Sequence, residues 1–301
     1  MHSSTSVDLA AADRPFDNII NFRDVGVSIN SLCGSRILKE GVLFRSARLD
    51  DASERDKRRL LDELRISTVI DLRSSTEHQM ALEKASPDSD QPDPDQPDQP
   101  DQPDEPQPSW RLNPISLTGK TFERALLWRL DWLTYLKVLS LATLGYRPSA
   151  VQLVCAHALR PRGLIGLAID TLEHSAVELR QVFAALADPA AYPVLVHCTQ
   201  GKDRTGLVVA LILLLTGCVH EEAVSADYGR SEAGLLDELD ERLEEIRRMG
   251  LGDEFAKCPP GFVGAVQEFL AGRFGGVKGY LVHGLGVGEE ILEVVRGLLV
   301  A

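Results

Sequence analysis

The sequence predicts an α/β fold with a central, mostly parallel sheet flanked by helices, on three observations. Short β-type runs at 68–72, 110–114 and 193–196 alternate along the chain with longer helical runs, the pattern of strands joined by crossover helices. The run Pro193-Val194-Leu195-Val196 is apolar without a break after its proline, as a strand buried on both faces should be. The 301 residues, 44% of them hydrophobic, suffice for one sizeable core. No second stretch has its own linker and core, so 1–301 reads as a single domain.

Ser53 and Glu54 open a helix through Leu60, Leu61 and Leu64, with Lys57, Arg58 and Arg59 on its basic face. Thr68-Val69-Ile70-Asp71-Leu72 follows as a strand. From Ser86 to Ser109 Asp-Gln-Pro repeats with small variations; proline fixes φ and removes donors while like charges repel, which predicts a disordered acidic insertion loop at 86–109. Trp110–Pro114 resumes order as a strand. Phe122 to Leu144 holds two helical patterns. Their Trp128, Trp132, Tyr135 and Leu136 are spaced for a core face or a lipid-facing lid rather than a cofactor box. An amphipathic helix at Glu173–Leu186 leads into the strand at 193–196. An apolar helix at Leu207–Thr216 follows and stops at Gly217. Leu236, Leu239, Leu243, Ile246 and Met249 form one stripe of a charged helix, and Phe262–Phe274 and Glu289–Leu299 close the chain as helices.

Charge and cysteine usage exclude several functions. The formal net charge is −13, from 45 acidic and 32 basic residues. Residues 86–109 hold eight acids and no Lys or Arg, and removing those eight from 45 leaves 37 acidic residues against 32 basic. A nearly balanced remainder lacks the basic face that nucleic acid requires. The five cysteines (Cys33, Cys155, Cys198, Cys218, Cys258) form no CxxC pair and no metal-ligand spacing, so no metal and no cofactor is expected. Met1–Ala12 shows no secretory pattern. The longest apolar run, Leu207–Leu215, falls short of the ~20 residues that span a bilayer. A soluble protein of the reducing cytoplasm follows, which suits a working thiolate.

The chemistry lies in His197-Cys198-Thr199-Gln200-Gly201-Lys202-Asp203-Arg204-Thr205-Gly206, a tight loop between the strand and the apolar helix. Cys198 there sits just before a helix amino end, where exposed N–H groups and the helix dipole favour negative charge. A thiol so placed loses its proton more easily, and the thiolate is the nucleophile. The same N–H groups can cradle a phosphate, with Arg204 as a two-pronged clamp.

This loop resembles the signature H-C-x5-R-T of the cysteine-dependent protein tyrosine phosphatase superfamily. Its fuller form is similar to the HCxxGKDRTG loop of a branch of tyrosine and phosphoinositide phosphatases from bacteria and fungi. Asn21-Phe22-Arg23-Asp24-Val25-Gly26, Leu43-Phe44-Arg45-Ser46-Ala47, Val69-Ile70-Asp71-Leu72-Arg73-Ser74 with Glu77, Asp227-Tyr228 with Ser231, and Gly275-Gly276-Val277 through Leu285-Gly286-Val287 resemble that branch's outer motifs in order. The resemblance implies a protein tyrosine phosphatase-like fold. It also implies hydrolysis of phosphate monoesters, on phosphotyrosine proteins or phosphoinositides, through a cysteinyl-phosphate intermediate.

In that reading Cys198 attacks phosphorus, and Arg204 with the N–H groups from Thr199 to Arg204 stabilises the equatorial oxygens. Water then hydrolyses the thiophosphate while Thr205 bonds the sulfur. Thr199, Gln200, Gly201 and Lys202 line the substrate, Lys202 adding charge at the pocket mouth for polyphosphorylated substrates. Arg23, Arg45, Arg48 and Arg73 are rim candidates on resemblance, and His197 orients the loop. The wider superfamily takes its general acid from a separate loop that is not evident here. Asp203 is similar to the acid carried by the GKDR branch, its alternative being a structural carboxylate, and Asp131 is the reserve.

Other readings fail on spacing. Gly201-Lys202 lacks the earlier glycine and the following Ser or Thr of a nucleotide loop, and Gly284–Gly288 lacks the GxGxxG order. A catalytically silent phosphate-binding module, or a phosphatase of a small metabolic phosphate, are the alternatives to a phosphatase of proteins or lipids.

Overall fold

Five short strands form one sheet in the order β1-β2-β5-β3-β4: β1 Arg23–Asp24, β2 Leu43–Ser46, β3 Thr68–Asp71, β4 Arg111–Pro114 and β5 Val194–His197. β1 runs antiparallel to β2, and every other pair is parallel. The computed structural model describes residues 16–85 and 110–301. The Asp-Gln-Pro tract at 86–109, and with it the expected insertion loop, lies outside the described residues.

β5 comes last in the chain and pairs with β2 on one side and β3 on the other, which explains its unbroken apolar run. Side chains alternate faces along each strand. Leu43, Ile70, Val194 and Val196 join the main core, while Phe44, Val69 and Leu195 join a second cluster with Leu60, Leu64 and Ile66. The register sets Arg45 against Val196, Ser46 against His197, and Asp71 against His197. The carboxyl ends of the three central strands therefore meet at one edge, where open α/β sheets bind ligands.

Helices pack around the sheet. α1 Val25–Cys33 is capped by Asp24, which accepts from the Val27 N–H, and stops at left-handed Gly34. α2 Glu54–Arg58 begins with a Ser53/Asp56 capping box and continues as a π turn over Arg59–Glu63, within the helix expected there. α3 Ser75–Ala85 precedes the undescribed tract. α4 Lys120–Trp128, α5 Trp132–Thr143 and α6 Arg147–Val154 follow β4.

The helix expected at 173–186 is two, α7 Gly163–His174 and α8 Ala176–Leu186. Ser175 breaks it, fully buried, by donating its hydroxyl to the Leu117 carbonyl at 2.6 Å. α9 Asp203–Thr216 buries 11 of its 14 residues, as a helix apolar all round must. α10 Glu221–Ala233, α11 Leu239–Arg248, α12 Phe262–Phe274 and α13 Glu289–Leu299 complete the fold.

Of the two readings given for the aromatic stripe of α4 and α5, the core face needs correction. Their shared core is built from Phe122, Leu126, Leu130, Val138, Ala150 and Ala158. Trp128, Trp132, Tyr135 and Leu136 are not core residues: they are 82, 69, 43 and 51% exposed. No helix among the described residues is long and apolar enough to cross a membrane.

Candidate active site

Cys198–Lys202 connects β5 to α9 at the carboxyl edge of the sheet. Gly201 takes φ +62°, and a Cβ there would lie 2.0 Å from the Ser46 carbonyl oxygen, so the turn admits only glycine. The loop carbonyls are tied to the surrounding framework. Thr199 C=O accepts from the Arg48 N–H at 3.1 Å, and Gln200 C=O from Asn21 Nδ2 at 2.9 Å. Gly201 C=O accepts from Arg45 Nη2 at 2.8 Å. Among the described residues no acceptor takes the N–H groups of Thr199, Gln200, Gly201 or Lys202. Unpaired N–H groups in a tight loop before a helix form a concavity for an anion.

Cys198 is buried at the start of this loop. Arg204, in the first turn of α9, is gripped from the side by Glu77. Its Nη1 lies 2.7 Å from Oε2 and its Nη2 2.6 Å from Oε1. Glu77 is itself fixed at the start of α3. Its carboxylate accepts from the N–H and hydroxyl of Ser74 at 2.9 Å, and its own N–H donates to Ser74 Oγ. That is a reciprocal capping box, and the Thr199 hydroxyl also donates to Glu77. Burial alone would raise the Glu77 pKa, but the Arg204 guanidinium with the Ser74 and Thr199 donors holds it well below the usual carboxylate range. Arg204 is held charged by the same pair, against the effect of its own burial.

Two further loop residues carry distinct signals. Thr205 is fully buried and its hydroxyl has no partner among the described residues. His197 is buried with Nε2 3.5 Å from Asp71 Oδ2 and Nδ1 3.3 Å from the Cys198 carbonyl. Burial pushes its pKa down, against the pull of the Asp71 carboxylate.

Asp203 Oδ1 accepts from Lys202 Nζ at 2.8 Å and from the Tyr228 hydroxyl at 3.1 Å. Its Oδ2 has no partner among the described residues, and the side chain is 27% exposed. Lys202 is not at a pocket mouth. It is fully buried, with Nζ also donating to the Lys257 carbonyl at 2.9 Å.

The rim arginines are committed elsewhere as well. Arg23 bonds Asp227 through Nε at 2.9 Å and Asn21 Oδ1 through Nη1 at 2.6 Å. Arg73 is locked on both Asp71, at 2.8 Å from Nη2, and Asp50, and Arg48 on Glu238 at 3.1 Å. Asp131 is the N-cap of α5, accepting from the Leu133 and Thr134 N–H groups and the Thr134 hydroxyl, so it is a structural carboxylate.

Asp227 anchors the frame beneath the loop. Buried on α10, it takes Arg45 Nη1 at 2.7 Å, Arg23 Nε at 2.9 Å and the Ser28 hydroxyl at 2.6 Å. Burial would raise its pKa, but the two guanidinium groups bring it down to about 2. Among the described residues no group of three His, Cys, Asp or Glu side chains could hold a metal ion.

The strand β5, the loop with Gly201 between Cys198 and the clamped Arg204, and the buried helix α9 together make up the candidate site. The model of the tyrosine phosphatase family matches residues 14–301, and the chain belongs to that family. A tyrosine-protein phosphatase of Nostoc commune is 34% identical over 139 residues, covering 42% of this chain and 46% of that protein. The triple specificity protein phosphatase PtpB of Mycobacterium tuberculosis is 33% identical over 137 residues, covering 40 and 48%. The chain thus spans about half the length of the curated relatives it matches. The core catalytic domain of the PP-IP phosphatase SIW14 from S. cerevisiae, in complex with citrate, aligns over 71% of this chain and 95% of its own, at 13% identity and TM-score 0.31.

Proposed function

We propose that this protein is a cysteine-dependent phosphatase of phosphate monoesters, acting on phosphotyrosine proteins or phosphoinositides as one catalytic domain in the reducing cytoplasm. The observation that carries the reading is the loop itself. Its carbonyls are tied outward and its N–H groups have no acceptor among the described residues, beside Cys198 and an Arg204 fixed by Glu77.

In the first displacement Cys198 Sγ forms a bond to phosphorus as the ester P–O bond breaks. The loop N–H groups and Arg204 carry the charge on the three equatorial oxygens. Asp203 gives a proton from Oδ2 to the leaving oxygen, Lys202 and Tyr228 orienting the carboxyl through Oδ1. In the second displacement water attacks phosphorus, the S–P bond breaks, and Asp203 takes a proton from the water. The unpartnered Thr205 hydroxyl donates to the departing sulfur. His197, Asp71 and Asp227 position the loop and touch no reacting atom.

With Lys202 buried, selection of polyphosphorylated substrates no longer has that lysine as its basis. The relative described as triple specificity supports testing more than one class of ester. Phosphate release would be measured for wild type and Cys198→Ser on a phosphotyrosine peptide, phosphoinositides and an aryl phosphate. Release by wild type and none by the variant is expected. No release by wild type from any of them would favour a module that binds phosphate without cleaving it.

A further inference from the structure

The α5 helix is built inside out. Its buried residues are Thr134 and Val138. At about 100° per residue the opposite side carries Trp132, Leu136 and Leu139, and these are 69, 51 and 49% exposed. Leu133 and Tyr135 flank that stripe, also exposed, with Trp128 before the helix and Leu144 and Tyr146 after it. A surface helix normally turns its apolar stripe to the core. Contiguous exposed apolar surface of this kind marks an interaction site.

The charge around the stripe identifies what it meets. Lys120–Arg162 contains seven Lys or Arg and two acids, in a chain of net charge −13. Arg129 and Arg162 are both spent on Asp170. Lys120, Arg124, Lys137, Arg147 and Arg160 are exposed, and none has a carboxylate partner among the described residues. Tryptophan, tyrosine and leucine beside free cations are the composition of a helix lying in a headgroup layer. A second copy of the chain would instead bring two basic segments together.

We propose that α5 and its flanking turns seat the protein on an anionic bilayer surface, the apolar stripe entering the headgroup–acyl boundary and the free cations meeting anionic lipid headgroups. The proposal does not depend on the phosphatase reading, and its test uses lipid that carries no monoester phosphate. The full chain would be sedimented with phosphatidylcholine vesicles, with and without phosphatidylserine, while tryptophan emission is recorded.

Binding to the phosphatidylserine vesicles alone is expected, with a blue shift and a loss of binding at high salt. Lys137→Gln and Arg147→Gln should each weaken binding about fivefold, at about 1 kcal/mol per cation near the surface. The double variant Trp132→Ala/Leu136→Ala should weaken it at least ~10-fold through lost apolar burial. Thermal midpoint and turnover of a soluble aryl phosphate should not move in these variants, since the replaced side chains are exposed. Absence of wild-type binding to anionic vesicles at low salt would overturn the proposal, as would equal binding by the variants. A concentration-dependent dimer abolished by Trp132→Ala/Leu136→Ala would assign the face to a second copy instead.

Discussion

Replacing Glu77 by glutamine isolates the clamp on Arg204. The carboxylate makes two charge-assisted hydrogen bonds to the guanidinium, at 2.7 and 2.6 Å. Glutamine keeps one acceptor and sets an NH2 group against the second guanidinium nitrogen, so at least one bond is lost. A hydrogen bond to a charged group contributes roughly 1.5–3 kcal/mol. If Arg204 must be held for the transition state, kcat/KM should fall roughly 10- to 150-fold, at 1.36 kcal/mol per tenfold. The loss should lie mainly in kcat, because the equatorial oxygens carry most charge in the transition state. Glutamine also serves at the third position of a capping box, so α3 survives and the thermal midpoint should change little. The assay is steady-state hydrolysis of an aryl phosphate, with thermal unfolding alongside. A kcat/KM within threefold of wild type would refute the clamp. So would a loss accompanied by collapse of the midpoint, which would make Glu77 a stability residue.

Three further outcomes follow from the same geometry. Lys202→Ala removes a buried donor from Asp203 and the Lys257 carbonyl, which costs about 1–3 kcal/mol of stability. Turnover should then drop equally on a phosphotyrosine peptide and a polyphosphorylated lipid, and a selective loss on the lipid would restore Lys202 to the substrate. Asp203→Asn should slow esters with poor leaving groups by roughly 100- to 10,000-fold and aryl phosphates far less; equal slowing of both in a leaving-group series would remove Asp203 as the acid. Asp227→Asn leaves buried Arg45 without its carboxylate and should cost roughly 3–5 kcal/mol in denaturant unfolding. In the wild type the depressed Asp227 pKa, about 2 against an ordinary 3.8, contributes about 2 kcal/mol. That stability is complete above the ordinary value and is lost as pH falls toward about 2; an acid-unfolding curve identical for Asp227→Asn would contradict it.

The loop was legible because its chemistry is local: Cys198, Gly201 and Arg204 lie within one turn and their spacing sets their geometry. The buried strand β5 and the helices α9, α12 and α13 were legible from unbroken or periodic apolar runs. What the sequence concealed was long-range pairing. Arg23 and Arg45 read as rim cations, yet both turn inward to Asp227, some two hundred residues away in the chain. Lys202 read as a charge at the pocket mouth from its place beside Gly201 and Arg204, whereas it is buried against Asp203 and the Lys257 carbonyl. Glu77 was visible as part of an outer motif and in the helix-start pattern Ser74-x-x-Glu77, but its grip on Arg204 depends on β3 and β5 lying side by side. The break at Ser175 escaped periodicity because one buried hydroxyl bonded to Leu117 decides it. The apolar spacing of Trp132 and Leu136 could not show which way α5 faces, since core and surface stripes have the same period.

The central claim is that Cys198 carries the phosphoryl group. The most direct test is a rapid acid quench of wild type turning over an aryl phosphate, followed by peptide mass analysis. The account predicts one phosphoryl group on the peptide containing Cys198, absent from Cys198→Ser, and more of it in Thr205→Val, where sulfur leaves more slowly. Phosphate release at full rate with no phosphoryl group on Cys198 in any quench, including that of Thr205→Val, would contradict it.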